Sequence, residues 1–271
     1  MQYRKVFYVV GVLSLLAGCT TDLVNPPYED HPKIKTAELA RLRGDVPQSI
    51  HDYRDIIKEC PNCEMAYIGL GMALLDGNAT VEAKHTFEKA IALFPRSPHG
   101  YTGLGLVYLV TDQPENAIQN FDIALKVNPR NPRACNGYGI ALDLMGEYEA
   151  AQAHYRAAME LVPSNVSYES NLALSMALAG NTGEAIRILE RLSSMPNASP
   201  RVRQNLALAY GLAGNIKMAK KLGRVDLPDN MVMNNVTYIE AIQQTQEYSG
   251  MIAKDHTVPL DQSRKWQERY Y

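Results

Sequence analysis

The 271-residue chain is 46% hydrophobic with a formal net charge of −2, so it carries enough apolar side chain for a buried core and lacks the composition of a disordered chain. Its 27 basic and 29 acidic residues are interspersed without a long basic run, which excludes the electrostatic footprint of a nucleic-acid binder. Four Phe and one Trp stand beside 16 Tyr and many Ala, Leu and Gly, a mixture that suits closely packed short helices, and the expected class is all-α.

Residues 1–18 have the order of a secretory signal peptide: a basic start at Arg4 and Lys5, an apolar run from Val6 to Ala17, then Gly18. That run is shorter than the roughly 20 residues a helix needs to cross a bilayer. Leu16-Ala17-Gly18-Cys19 resembles the lipobox of bacterial lipoproteins, which implies cleavage before Cys19 and lipidation of its thiol. Several acyl chains on one residue meet the two-signal requirement for durable anchoring. By the same resemblance Thr20, which is not the Asp that commonly marks inner-membrane retention, favours the periplasmic face of the outer membrane. Residues 19–33, with Asn25-Pro26-Pro27 and several charges but no apolar period, are expected to form an extended tether.

From residue 34 to 247 a pattern recurs every 34 residues. The unit from 98 to 131 has Tyr101, Leu104, Gly105, Tyr108, Ala117, Phe121, Ala124 and Pro129. One period earlier stand Tyr67, Leu70, Gly71, Leu74, Ala83, Phe87, Ala90 and Pro95, and one period later Cys135, Tyr138, Gly139, Leu142, Ala151, Tyr155, Ala158 and Pro163. This resembles the tetratricopeptide repeat (TPR), a helical hairpin whose small residues let two helices approach, whose large residues fill the space between them, and whose proline closes the second helix. Weaker units keep the register before it at Ala37, Tyr53, Ile56 and Pro61, and after it at Leu172, Ala173, Ala185 and Leu189, then Leu206, Ala207, Tyr210 and Ala219. Gly44, Gly146, Gly180 and Gly214 share one position of the unit, where a helix end calls for a left-handed residue. About six units, a helix near 231 to 246 and a polar tail at 248–271 are expected.

A solenoid of this kind exposes a groove lined by the first helix of each unit, suited to an extended or helical segment of another protein. Four positions per unit name the expected lining: Met65, Ile68, Met72 and Leu75, then His99, Thr102, Leu106 and Leu109, then Arg133, Asn136, Ile140 and Asp143. The first set gives an adaptable apolar end and the others a sector with hydrogen-bonding capacity. The groove lacks the repeated Lys and Arg by which chaperone-binding TPR domains hold a terminal carboxylate.

Cys60-Pro61-Asn62-Cys63 is a CxxC pair at the junction of two units. Three readings stay open for it: a structural disulfide in an oxidising compartment, two free thiols, or thioredoxin-like redox chemistry. Four-ligand zinc is disfavoured because no second pair of ligands lies near. Cys135 occupies a position that packs inside its hairpin. The six histidines fall in different units and phases, no catalytic or phosphate-binding motif is present, and neither a cofactor nor a small-molecule substrate is expected.

The ending is more distinctive. Arg201-Val202-Arg203-Gln204-Asn205-Leu206-Ala207-Leu208-Ala209-Tyr210, Ala213-Gly214-Asn215, Ala219, Asp226-Leu227-Pro228, Asn235 and Tyr238 resemble the TadD lipoproteins of tight-adherence (Flp) pilus systems. The resemblance covers most of the mature chain and implies an accessory role in pilus assembly, with the pilus secretin or another assembly component as protein partner. The CxxC element and the polar tail lie outside it.

Overall fold

In a computed structural model, residues 33–196, 198–237 and 239–240 are described. The expected signal peptide, Cys19 and the tail at 248–271 lie outside them, as does all of the expected tether except Lys33. Twelve helices follow one another: α1 (Ile34–Leu42), α2 (Val46–Glu59), α3 (Glu64–Asp76), α4 (Thr80–Leu93), α5 (Pro98–Val110), α6 (Pro114–Val127), α7 (Pro132–Met145), α8 (Tyr148–Leu161), α9 (Val166–Leu178), α10 (Thr182–Ser193), α11 (Pro200–Leu212) and α12 (Ile216–Asp226). They pair as six antiparallel hairpins, the all-α solenoid that the spacing implies. Residues 229–237 form a further helix, whose Val232 and Val236 are buried against the last hairpin.

Local chemistry places the ends. Pro98, Pro114, Pro132 and Pro200 open their helices at the position where a missing N–H costs nothing. Asn131 and Asn215 cap α7 and α12, accepting bonds from Ala134 N and Met218 N, each at 3.1 Å. Pro61, Pro95, Pro129 and Pro163 each stand two residues past the last helical residue of α2, α4, α6 and α8, because proline disfavours helical backbone in the residue before it.

The first and second helices of each hairpin have different tasks. In α3 every residue from Ala66 to Leu75 is buried, whereas α4 buries only Ala83, Thr86, Phe87 and Ala90. A helix apolar all round must be covered on several sides, and first helices pack on one another from hairpin to hairpin while neighbouring second helices barely touch. The array therefore curves, with the first helices on its inner side. Phe87 sits between Gly71 of its own hairpin and Gly103 of the next, and Phe121 between Gly105 and Gly137; a Cβ at any of these glycines would fall within 3.0 Å of the ring. The next hairpin departs from the scheme. Asn171 replaces the glycine, and its side chain donates a 2.8 Å bond to Asn136 instead.

Candidate protein-binding groove

On the inner side a groove of about 340 Å³ runs from Ile34 in α1 to Leu161 at the end of α8 and Val162 just past it. Its floor is aliphatic, from Met65, Ile68, Met72 and Leu106, with Gly69 and Gly103 leaving backbone in the wall between them. One end carries Glu38 and Arg41, and the other carries His99, Arg130, Asn131 and Arg133.

The Arg41 guanidinium is fixed on three sides. It donates to both oxygens of Glu38, at 2.8 and 2.6 Å, and to Asp76 at 2.7 Å, and the Tyr53 hydroxyl donates to Glu38 at 3.1 Å. Burial works against the Arg41 charge, but the bonds and charges of Glu38 and Asp76 outweigh it and raise its pKa. The Asp76 carboxyl moves above its ordinary value, because loss of water exceeds the help from Arg41. At the opposite end, burial lowers the His99 pKa against the pull of Glu64, so its imidazole is neutral at pH 7. Asn131 Nδ2 donates to Thr102 Oγ1 at 3.1 Å and ties the α7 cap to α5.

Seven of the twelve residues expected in the lining are there: Met65, Ile68, Met72, His99, Thr102, Leu106 and Arg133. Leu75, Leu109, Asn136 and Ile140 are buried and Asp143 is partly covered. None of the five lines the groove: Leu75 and Leu109 belong to the core, and helix α9 stacks over the α7 members, with Asn171 bonded to Asn136 and Ser175 Oγ bonded to Asp143 at 2.6 Å. Even within the lining, exposure is uneven. Met65, His99 and Arg133 are half-buried and Arg130 is exposed, whereas Met72 is 4% and Leu106 0% exposed. The residues sequence reasoning missed obey its own register. Ile34, Glu38 and Arg41 occupy in the first unit the positions that Ile68, Met72 and Leu75 occupy in the second, 34 residues on, and extending the count one unit back would have found them. The turn residues Asn128 to Pro132 carry no such signal.

The Cys60 and Cys63 sulfurs are paired across the inter-hairpin turn, with a Cα–Cα distance of 5.5 Å, inside the range of a disulfide. Cys63 is buried at the N-cap of α3. Burial also raises the Cys135 pKa and keeps its thiol protonated. Among the described residues no group of three or more His, Cys, Asp or Glu is placed to hold a metal ion, and no helix is long and apolar enough to cross a membrane.

Residues 132–165 and 167–191 match the tetratricopeptide repeat; the first of these segments is the α7–α8 hairpin with its closing turn. Among solved structures, the thermophilic TPR protein TTC0263 of Thermus thermophilus is 21% identical with a TM-score of 0.59, over 65% of this chain and 96% of that one. PilW, a widely conserved type IV pilus biogenesis factor, is 20% identical with a TM-score of 0.58, over 70% of this chain and 88% of its own. The PilF protein of Pseudomonas aeruginosa is 21% identical with a TM-score of 0.52, over 76% and 97%. At these identities the likeness establishes the fold alone. No curated protein matches the chain in sequence. The fold, the matched repeats and the groove are those of a protein-interaction scaffold built from TPR hairpins.

Proposed function

We propose that this chain is a lipoprotein, held at the periplasmic face of the outer membrane through Cys19, that binds a protein component of the tight-adherence (Flp) pilus and supports assembly or stability of its secretin. The observation that carries the reading is the groove itself. It joins an aliphatic floor to polar ends along the inner side of four consecutive hairpins, a shape that accepts a segment of another protein. The lipobox at Leu16 to Cys19 supports the anchorage, and the TadD-like ending supports the pilus system. Cys60 and Cys63 act as a local staple in this oxidising compartment and not as a redox centre, in keeping with the burial of Cys63.

A second reading is a pilotin of a type IV pilus. Likeness in fold to PilW and to PilF favours it; the resemblance of residues 201–238 to TadD favours the tight-adherence system. The test is the amount of multimeric secretin in outer-membrane fractions with and without this protein, followed by crosslinking to identify the secretin at the groove. The proposal expects multimers to become scarce without it. Equal amounts with pili nonetheless lost would move the protein to another pilus component, and crosslinks to a type IV secretin would select the second reading.

A further inference from the structure

The charges of the groove are segregated. At the α1 end one guanidinium, Arg41, faces two carboxylates, Glu38 and Asp76, so that this end carries one surplus negative charge. The Arg41 side chain is almost wholly buried while both carboxylates keep some contact with water; Glu38 lines the groove and Asp76 stands behind the lining, so Glu38 is the charge that an incoming group meets. At the α7 end Arg130 is exposed and has no ion pair among the described residues, and Arg133 stands beside it on the first turn of α7. Glu64, which accepts a hydrogen bond from Ser97, offsets part of that charge from outside the lining. His99 adds none at neutral pH. The positive end of the α7 dipole points the same way.

We infer, building on the proposed binding role, that the groove reads the charge order of its partner: an aliphatic side chain on the floor, an acidic side chain over Arg130, and a basic one over Glu38. The aliphatic floor of Met65, Ile68 and Met72 sets the apolar anchor between the acid and the base. The arrangement discriminates in two ways. A segment of reversed order sets like charges against each other at both ends, and a purely apolar one gives the exposed Arg130 no counter-charge.

The test uses the full mature chain in detergent and a random-peptide display library as probe, selected in parallel on wild type, Arg130→Glu and Met65→Asp. Wild type should enrich peptides that pair an aliphatic anchor with Asp or Glu on one side and Lys or Arg on the other. Arg130→Glu should shift the acidic position to Lys or Arg. A synthetic peptide from the wild-type selection should bind Arg130→Ala roughly two- to five-fold more weakly, a loss that shrinks at high salt. Peptides with the same charges on wild type and on Arg130→Glu, but lost on Met65→Asp, overturn the charge order and leave groove binding standing. Peptides indifferent to Met65→Asp overturn the groove reading and this inference with it. Arg130 is exposed, so its variants should keep the melting profile of wild type.

Discussion

The Tyr155 hydroxyl donates a 2.7 Å hydrogen bond to the Asp143 carboxylate and ties α8 to α7 of the same hairpin. Ser175 Oγ donates to the other oxygen from α9, so one acid joins three helices. Burial is the larger influence all the same, and the Asp143 pKa rises to about 7 although both bonds pull it down. A carboxyl with a raised folded pKa holds more protons in the folded than in the unfolded state. Its contribution is complete below about pH 4 and is lost as pH rises through 7. Denaturant unfolding from pH 4 to 8 should show wild type losing on the order of a few kcal/mol more stability than Asp143→Asn. Parallel slopes for the two would remove the acid from this role.

Phe87 lies between Gly71 and Gly103, with no room for a Cβ on either side. Gly103→Ala should therefore cost about 1 to 3 kcal/mol by overpacking. Shrinking the ring should return part of it, so Phe87→Leu combined with Gly103→Ala should be less harmful than the two single losses added together. Strict additivity in such a cycle would mean that ring and glycine are not in contact in solution.

Six residues share the left-handed position that ends the first helix of each hairpin: Gly44, Asn78, Asp112, Gly146, Gly180 and Gly214, with φ between 58° and 94°. The four glycines were legible in the sequence because nothing else explains their spacing. Asn78 and Asp112 were not, although short polar side chains are the usual substitutes there. Gly146→Ala, at φ 82° with open space around the new methyl, should cost about 1 to 2 kcal/mol from backbone strain alone. Gly183→Ala, also in open space but inside α10, should instead raise stability by about 0.5 kcal/mol. Equal signs in chemical denaturation would refute the assignment.

The fold was legible because the repeat is a packing rule, and the rule names Ala, Gly and aromatic positions at once. The groove was only half legible. Counting positions 2, 5, 9 and 12 of each unit shows which residues point inward, but not how far the next hairpin covers them, and so Asn136, Ile140 and Asp143 were counted with Met65 and His99. The ending shows a related ambiguity. Arg203 bonds Asp226 at 2.9 Å, Asn205 bonds Ser170 at 3.0 Å, and Tyr210 bonds Glu190. Residues that carry the TadD resemblance thus hold the last hairpins together, and a sequence motif does not separate that task from contact with a partner.

For Cys19 the expected outcome concerns mass and location. Intact-mass measurement on membrane-extracted protein should show loss of residues 1–18 and the gain of acyl groups. Cys19→Ser should leave the protein unprocessed or free of the membrane fraction, with the melting temperature of its folded body unchanged. A mature N-terminus elsewhere, without added lipid, would end the lipoprotein reading.

Two aliphatic residues of the groove should respond differently to the same substitution. Met65 is half-buried and lines the floor where a partner side chain can reach it. Met65→Asp should weaken partner capture by roughly 1 to 4 kcal/mol, the range of an interface anchor, with little change in melting temperature. Leu106 lines the same floor but is 0% exposed, so Leu106→Asp places an unpaired carboxylate in the core and should unfold the array before binding can be measured. Thermal melting beside a capture assay separates the cases. If Met65→Asp melts as early as Leu106→Asp, the methionine belongs to the core; if it melts normally and captures normally, the floor of the groove is not where the partner lies.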